Sequence, residues 1–266
     1  STELLEIIHN LTKNDHRVLY YGPDNISDVK QLLLNIHNTS DLIAIEAKDL
    51  NVENAMNSNQ VYVLDYDMKQ AEVIMYTKGS ELNNDEYSII KFHNEYFGGG
   101  MSSIIFQEMR ESKALAYSVY STYTIPKRLN DSHYGFSYIG TQADKLGDAM
   151  QGMLELLTQM PEANSNMETA REGILQKIRT ERITKTKILD YYEATRKINI
   201  DYDQRSDLYN DVSSFTIEDL TNFHNTHVKS DSYTYMVLGS SKEIDLKLLE
   251  TYGNVTILTL EDVFGY

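Results

Sequence analysis

The sequence predicts an α+β fold in which helices pack on one face of a largely antiparallel, mixed sheet. Strand-like runs rich in Tyr, Val, Ile and Thr follow one another in pairs, and helix-like segments cluster between these pairs. The chain shows little of the βαβ alternation that a parallel sheet requires. These three observations favour antiparallel strand pairs covered by a layer of helices.

The first 45 residues read as a helix, a strand and a second helix. The runs "TELLEIIHNL" and "ISDVKQLLLNI" are helical, and "RVLYY" between them is strand-like because it is β-branched and aromatic. Four apolar residues share one face of the second helix: Val29, Leu32, Leu33 and Ile36. Residues 39–59 are more polar and read as a connector with a short strand at "LIAIEA".

The next segment, from Gln60 to Thr141, contains four predicted strands and two helices. The runs "QVYVLDY" and "AEVIMYT" are separated by only "DMKQ", which predicts a hairpin. A helix at "NDEYSIIKFHNEYF" ends at three glycines, and "MSSIIFQEMRES" forms a second, shorter helix. The runs "AYSVYSTYTI" and "HYGFSYIGT" predict two further paired strands.

The remainder is mainly helical and closes with the strands "YTYMVLG" and "NVTILTL". A long helix is predicted from apolar residues at helical spacing, which are Leu146, Met150, Met153, Leu154 and Leu157. Pro161 ends it, and "SNME" at residues 165–168 predicts a capping box for the next helix. Two more helices are predicted at "KILDYYEATRKI" and, capped by Thr216, at "IEDLTNFHNTHV".

Composition excludes several classes of protein. The net charge of −16 argues against nucleic acid as a partner, because binding phosphates requires clustered Lys and Arg. The absence of cysteine excludes disulfides, thiol catalysis and cysteine–zinc sites. No apolar run reaches the ~20 residues of a membrane span, and the first residues do not resemble a signal peptide. From these features we expect a soluble protein, and they leave its compartment open.

Motifs for metal, phosphate and serine chemistry are incomplete. None of the seven histidines forms H-E-x-x-H or H-x-x-E-H, and His224 and His227 lack a completing carboxylate, which favours a surface or partly buried role. The glycines Gly98, Gly99 and Gly100 lack the lysine of a phosphate loop and follow a helix instead of a strand. By themselves they indicate positive φ and close backbone approach. There is no G-x-S-x-G motif for a serine nucleophile.

Arg110 and Tyr117 are a further candidate pair. Arg110 is placed near the end of the short helix and Tyr117 at the start of the next strand, with a segment between them long enough to reverse the chain. An arginine donates a rigid fork of N–H groups, and a tyrosine hydroxyl can donate to a developing oxyanion. Taken alone, the two residues are more typical of a surface ion pair and a sheet tyrosine.

The stretch "HNEYFGGGMSSIIFQEMRESKALAYSVYS" resembles the signature of the zinc-free domains of the pitrilysin/insulinase family of zinc metallopeptidases, which includes mitochondrial processing peptidase. The family pattern joins an asparagine, a glycine-rich turn, small residues that open a helix and an LR-E-x-x-x-LAY block. The matching residues are Asn94, Gly98, Gly99, Gly100, Ser102, Ser103, Arg110, Glu111, Leu115, Ala116 and Tyr117. Met109 stands where leucine is commoner, and the resemblance covers about residues 60–266.

The resemblance implies repeated α+β domains around a chamber, in which one domain carries H-x-x-E-H and zinc. A zinc-free domain supplies an Arg–Tyr pair seven residues apart, the spacing of Arg110 and Tyr117. The pair is implied to bind substrate carbonyls near the scissile bond, with Tyr117 also stabilising the tetrahedral intermediate. Gly98, Gly99 and Gly100 are implied to shape a turn beside the substrate path.

We therefore predict that the chain is the zinc-free, substrate-binding C-terminal part of a bacterial zinc metalloendopeptidase. Residues 1–45 resemble the closing strand and helix of a preceding repeat, and residues 46–266 form the substrate-binding domain. The chain alone is expected to hold no cofactor and to be inactive, with zinc in a catalytic half on the same precursor or on a separate subunit. Its other partners are extended peptides that use an exposed sheet edge. The alternatives are an inactive scaffold subunit and an independent peptide-binding module.

Overall fold

The computed structural model describes residues 2–36, 42–44 and 56–265. The chain divides into two compact units, of which the first comprises residues 1–54 and 183–193 and the second comprises residues 55–182 and 194–266. Within the described ranges, no helix has the length and apolar character needed to cross a membrane.

The described helices and strands occur in the following order. The α-helices are α1 (Thr2–Asn10), α2 (Ile26–Ile36), α3 (Tyr87–Phe97), α4 (Leu146–Thr158), α5 (Asn164–Thr180), α6 (Ile188–Lys197), α7 (Arg205–Asp211), α8 (Ile217–Phe223), α9 (Leu246–Leu249) and α10 (Leu260–Phe264). The strands are β1 (Gln60–Asp65), β2 (Gln70–Glu81), β3 (Ser118–Tyr123), β4 (Ser132–Gln142), β5 (Thr234–Gly239) and β6 (Asn254–Leu258). Two π-helices, Phe106–Ser112 and His224–Val228, and four 3₁₀ turns, Leu11–Lys13, Asn84–Glu86, Ala143–Lys145 and Lys185–Lys187, complete the described elements.

The second unit is built on one six-stranded sheet with the order β3-β4-β2-β5-β1-β6. The pairs β3–β4, β4–β2 and β2–β5 are antiparallel, and β5–β1 and β1–β6 are parallel. Alternate residues of β2 point into the core, which the helices cover on one face. The opposite face of the sheet carries a shallow apolar cleft of about 450 Å³. The predicted α+β fold with a largely antiparallel mixed sheet is therefore confirmed.

The predicted hairpin of β1 and β2 is wrong, because β5 lies between the two strands. Val237 of β5 is opposite Val63 of β1 on one side and opposite Val73 of β2 on the other. The connecting loop, residues 66–69, spans the ~10 Å between next-nearest strands. Hydrophobic alternation identifies a strand but not its partner, so short sequence separation was a misleading guide here.

The predicted strand "RVLYY" is also wrong, because residues 17–21 have no ladder partner among the described residues. The nearby pairing is a single bridge, in which the N–H of Asp15 donates to the carbonyl of Ile43 at 2.8 Å. A run of β-formers without a partner leaves its backbone groups to solvent and does not become a strand. Residues 45–47 of the predicted strand "LIAIEA" lie outside the described residues.

Helix α5 does not use the predicted capping box at residues 165–168. The helix begins at Asn164, so Ser165 is already inside its first turn and its hydroxyl donates to Asn166 instead. Ala163 is the N-cap residue, and its N–H donates to the hydroxyl oxygen of Tyr96 at 3.0 Å. The predicted capping of α8 by Thr216 is confirmed, with Asp219 completing the box.

Helices α1 and α2 bury none of their residues in the described part of the chain. Their apolar side chains are largely exposed, as shown by Ile7 at 55%, Leu32 at 60% and Ile36 at 65%. Amphipathic helices of this length are stabilised mainly by packing of their apolar face. The first unit therefore presents apolar surface that a packed domain would cover.

Candidate functional site

The three glycines follow α3 and allow β3 to approach the end of that helix. A Cβ on Gly98 would lie 2.1 Å from the carbonyl oxygen of Ser121, which leaves no room for any side chain. Close backbone approach is thus confirmed for Gly98. The expectation of positive φ at the three glycines is wrong, because among the described glycines only Gly265 has positive φ.

Asn94 and Gly98 hold the outer edge of β3, which is an edge strand of the sheet. The Asn94 side chain donates to the carbonyl of Tyr123 at 2.9 Å and accepts from its N–H at 2.8 Å. The N–H of Ser121 donates to the carbonyl of Gly98 at 3.3 Å. We call Asn94, Gly98, Ser121 and Tyr123 the α3–β3 clamp. Sequence reasoning identified Asn94 as part of a pattern but not this role.

Arg110 lies on the π-helix Phe106–Ser112, a type of segment that is frequent at functional sites. Met109 is fully buried, so the helix is anchored one residue before Arg110. The Arg110 guanidinium lies 4.9 Å from the centre of the Phe106 ring, and its Nε lies 3.8 Å from a carboxylate oxygen of Glu111. The Arg110 side chain is about half exposed and keeps most of its N–H donors free of close acceptors.

The chain reverses after this π-helix and returns to the sheet at Tyr117. Ala114 has a φ of 49°, in the left-handed region, and the N–H of Leu115 donates to the carbonyl of Met109 at 2.8 Å. The N–H of Tyr117 then donates to the carbonyl of Gly140 in β4 at 2.8 Å. This turn brings the side chains before and after it to the same surface.

Arg110 and Tyr117 line one cleft, whose volume is about 290 Å³. Gln142 and Lys145 line it too. The Gln142 amide donates to the Tyr117 hydroxyl oxygen, so the Tyr117 O–H remains able to donate to a ligand. The Lys145 ammonium donates to the carbonyl of Ala114 at 3.2 Å. Gly98, Gly99 and Gly100 are not among the residues that line this cleft.

Sequence reasoning missed Gln142 and Lys145 as site residues. Ser118 of β3 is opposite Gly140 of β4, so the end of β4 and the residues after it lie beside Tyr117. The paired strands were predicted, and their register would have placed Gln142 next to Tyr117. In the sequence alone, the run "GTQADK" only leads into the predicted long helix.

Two histidines form a buried pair in the second unit. The Nε2 of His93 lies 3.0 Å from the Nδ1 of His224, and the Nε2 of His224 lies 2.9 Å from the carbonyl oxygen of Leu157. A carbonyl only accepts, so His224 carries its proton on Nε2 and accepts from His93 at Nδ1. Burial lowers the pKa of both imidazoles, that of His224 to about 4, and the neighbouring His224 lowers the pKa of His93 further.

This buried pair predicts a loss of stability in mild acid. Both folded-state pKa values are depressed, so the unfolded chain binds more protons as the pH falls below about 6.5, the usual histidine pKa. The free energy of unfolding should therefore be highest above this pH and should fall as the pH drops to 5.5, by on the order of 1 kcal/mol per histidine. Urea denaturation at pH 7.5 and 5.5 measures the difference. His224→Gln should reduce this pH-dependent loss of stability, whereas His9→Gln, at an exposed position, should leave it unchanged. Equal losses in the wild type and both variants would show that the buried histidine pair does not cause the loss.

The histidines and carboxylates do not assemble a metal site in the part of the chain that the structure describes. His224 is fully buried instead of lying at the surface, and its ring nitrogens are occupied by His93 and Leu157. His227 is partly buried and its Nε2 lies 3.5 Å from a carboxylate oxygen of Glu86. The histidines and carboxylates that the structure describes therefore do not fit a zinc ion.

Similar solved structures share this fold. The chain superposes on the peptidase M16 inactive domain from Pseudomonas fluorescens with a TM-score of 0.64 and 17% identity, covering 83% of this chain and 52% of the other. A protease from Helicobacter pylori gives a TM-score of 0.63 and 16% identity, covering 82% of this chain and 53% of the other. The chain thus spans about half the length of these structural relatives.

Sequence comparison supports the same assignment. The chain is 33% identical over 107 residues to an uncharacterised zinc protease, YmxG, of Bacillus subtilis (strain 168), covering 39% of this chain and 25% of YmxG. Residues 17–169, more than half of the chain, match the family model described as the peptidase M16 inactive domain. The resemblance found in the sequence is therefore confirmed: the chain belongs to the peptidase M16 family, in its inactive-domain group.

Proposed function

We propose that this chain is the zinc-free, substrate-binding part of a bacterial zinc metalloendopeptidase and positions an extended peptide for a zinc site on another domain or subunit. The observation that carries the proposal is the cleft shared by Arg110 and Tyr117. The Arg110 guanidinium and the Tyr117 hydroxyl are hydrogen-bond donors of different chemistry that lie seven residues apart in the chain. The chain reverses direction between them, with left-handed backbone at Ala114, and this brings both to the cleft. Such strained residues are concentrated at functional sites.

The side chains of the cleft suit a peptide backbone. Arg110 presents N–H donors in a planar fork that can bind substrate carbonyl oxygens. Tyr117 donates its O–H to the carbonyl near the scissile bond, and this hydrogen bond strengthens as negative charge develops on the oxygen. Gln142 holds the hydroxyl in place by donating to its oxygen.

The sheet edge beside the cleft limits how a peptide can pair with β3. Alternate residues of an antiparallel edge strand direct their N–H and C=O groups outward. The α3–β3 clamp occupies these groups at Tyr123 and the N–H of Ser121, which leaves Val119 as the next outward position. A peptide would therefore add to the sheet at the Tyr117 end of β3 only.

The zinc site belongs, in this proposal, to a separate catalytic half, on the same precursor or on another subunit. The described residues of this chain offer no ligand set of their own. Residues 1–45 are, in the same proposal, the closing segment of a preceding repeat, and residues 46–266 the substrate-binding domain. The exposed apolar residues of α1 and α2 support this assignment, because the rest of such a repeat would cover them.

Reconstitution tests the proposal. The purified chain should cleave no fluorogenic peptide, and cleavage that is sensitive to chelators should appear when the zinc-bearing half is added. Chelator-sensitive cleavage by this chain alone would contradict the separation of roles. A mixture whose activity does not depend on this chain would favour a scaffold, and tight peptide binding without any zinc half would favour an independent binding module.

The same mixture tests the assignment of residues 1–45. Amide hydrogen exchange in α1 and α2 should slow on complex formation, because covered apolar faces stabilise helical hydrogen bonds. Exchange in the exposed C-terminal helix α10 serves as the reference. Unchanged exchange of α1 and α2 in an active complex would show that the preceding repeat does not pack on them.

A further inference from the structure

The cleft of Arg110 and Tyr117 is lined by cationic side chains whose N–H donors are only partly hydrogen-bonded within the protein. Arg110 and Lys145 both line it, and Glu111 is the only carboxylate among the lining residues. The separation of 3.8 Å between Arg110 Nε and Glu111 is too long for a hydrogen bond. Lys145 has three N–H donors and gives one to the carbonyl of Ala114. Both cations therefore have donors left for a ligand.

Lys145 stands where helix stability does not favour it. It directly precedes α4, at the end of the helix whose partial positive charge attracts anions and disfavours cations. The protein as a whole carries a net charge of −16, so a pair of cations around one small cleft contrasts with the rest of the molecule. Residues that break a local rule in this way are often functional.

We propose that this cleft is a subsite for a carboxylate group of the bound peptide and that Lys145 is its specificity-determining residue. The inference rests on the proposed function, because it requires a peptide in the cleft. The volume of about 290 Å³ is at the small end of ligand pockets and suits one residue rather than a long segment. Lys145 supplies the charge, Arg110 adds part of its fork, and Tyr117 stays free for the carbonyl oxygen.

The carboxylate has two possible sources, an acidic side chain or the C-terminus of the peptide. Three acetylated pentapeptides separate them: Ala-Ala-Glu-Ala-Ala amide, Ala-Ala-Gln-Ala-Ala amide, and Ala-Ala-Gln-Ala-Ala with a free C-terminus. Each is titrated into the ¹⁵N-labelled full chain at 0.15 M salt, following the amide signals of Tyr117 and Gln142. At least one carboxylate-bearing peptide should bind about fivefold more tightly than the neutral one, and the tighter of the two identifies the source.

Lys145→Gln should remove this preference, and Lys113→Gln is the matched control. Lys113 follows the same π-helix and lies 3.7 Å from Glu155, outside the lining of the cleft. If both variants lose the preference equally, a diffuse field and not a subsite is responsible, and the proposal is wrong.

Equal affinity for all three peptides, or no change in any titration, would also overturn the subsite. The proposed function is judged separately, by whether cleavage in the reconstituted enzyme depends on Arg110 and Tyr117. If the peptides show no carboxylate preference but cleavage still depends on Arg110 and Tyr117, the carboxylate subsite is wrong and the proposed function still stands.

Discussion

Replacement of Tyr117 by phenylalanine is expected to lower kcat of the reconstituted endopeptidase by roughly 10²–10³-fold, the effect of removing one donor from an oxyanion site. The ring and its packing are kept, and the Tyr117 side chain is half exposed, so the free energy of unfolding should hardly change. The loss should fall on kcat because the hydrogen bond strengthens only as the carbonyl oxygen becomes negative. Steady-state cleavage of a fluorogenic peptide measures it.

Tyr120→Phe is the matched control, because Tyr120 is an exposed tyrosine on β3, the strand that follows Tyr117, and is absent from the lining of the cleft. It should cleave like the wild type. Arg110→Ala should raise KM as well as lower kcat, and Arg110→Lys should rescue it only in part, since lysine lacks the planar fork. If Tyr117→Phe and Arg110→Ala both cleave like the wild type, the pair has no role in catalysis and a scaffold function is favoured.

Substitution of Gly98 by alanine is expected to destabilise the second unit by about 3 kcal/mol, the upper range for overpacking a closely fitted site. The added Cβ would lie 2.1 Å from the backbone oxygen of Ser121, which cannot rotate away as a side chain could. Relief would require α3 and β3 to separate, which would also weaken the hydrogen bonds of Asn94 to Tyr123. Urea denaturation followed by circular dichroism measures the change.

Gly100→Ala provides the comparison two residues away. Its Cβ would meet nothing closer than a side-chain oxygen of Glu95 at 3.8 Å, so the stability should change by no more than about 0.5 kcal/mol. Similar stability changes for Gly98→Ala and Gly100→Ala would show that close approach to β3 is not what requires glycine at position 98.

Strand identity was predictable from the sequence where a run alternates and finds a partner, as in β3 and β4. The partners of β1 and β2 were not predictable, because β5 comes from residues far along the chain and enters between these two strands. The run at residues 17–21 shows the opposite case, in which suitable residues have no partner and form no strand. Local pattern sets propensity, and pairing over long sequence separation decides the sheet.

The candidate site was predictable in part. The spacing of Arg110 and Tyr117 was recognised from the sequence, whereas the π-helical backbone that carries Arg110 has no sequence signal comparable to a cap or a turn. Gln142 is the last residue of β4 and Lys145 ends the 3₁₀ turn that follows it, so the register of β3 and β4 brings both to the cleft. The role of Asn94 likewise depends on backbone groups of β3 that no pattern of side chains reveals.

The α3–β3 clamp also affects how readily copies of this protein self-associate through the edge of the sheet. The strand "SVYSTY" is uncharged and rich in residues that favour strands, and a bare edge of this kind is a template for uncontrolled self-association. By occupying the outward groups of Tyr123, Asn94 shortens the stretch on which a second copy could assemble. The Asn94 side chain thus limits edge-to-edge aggregation through β3.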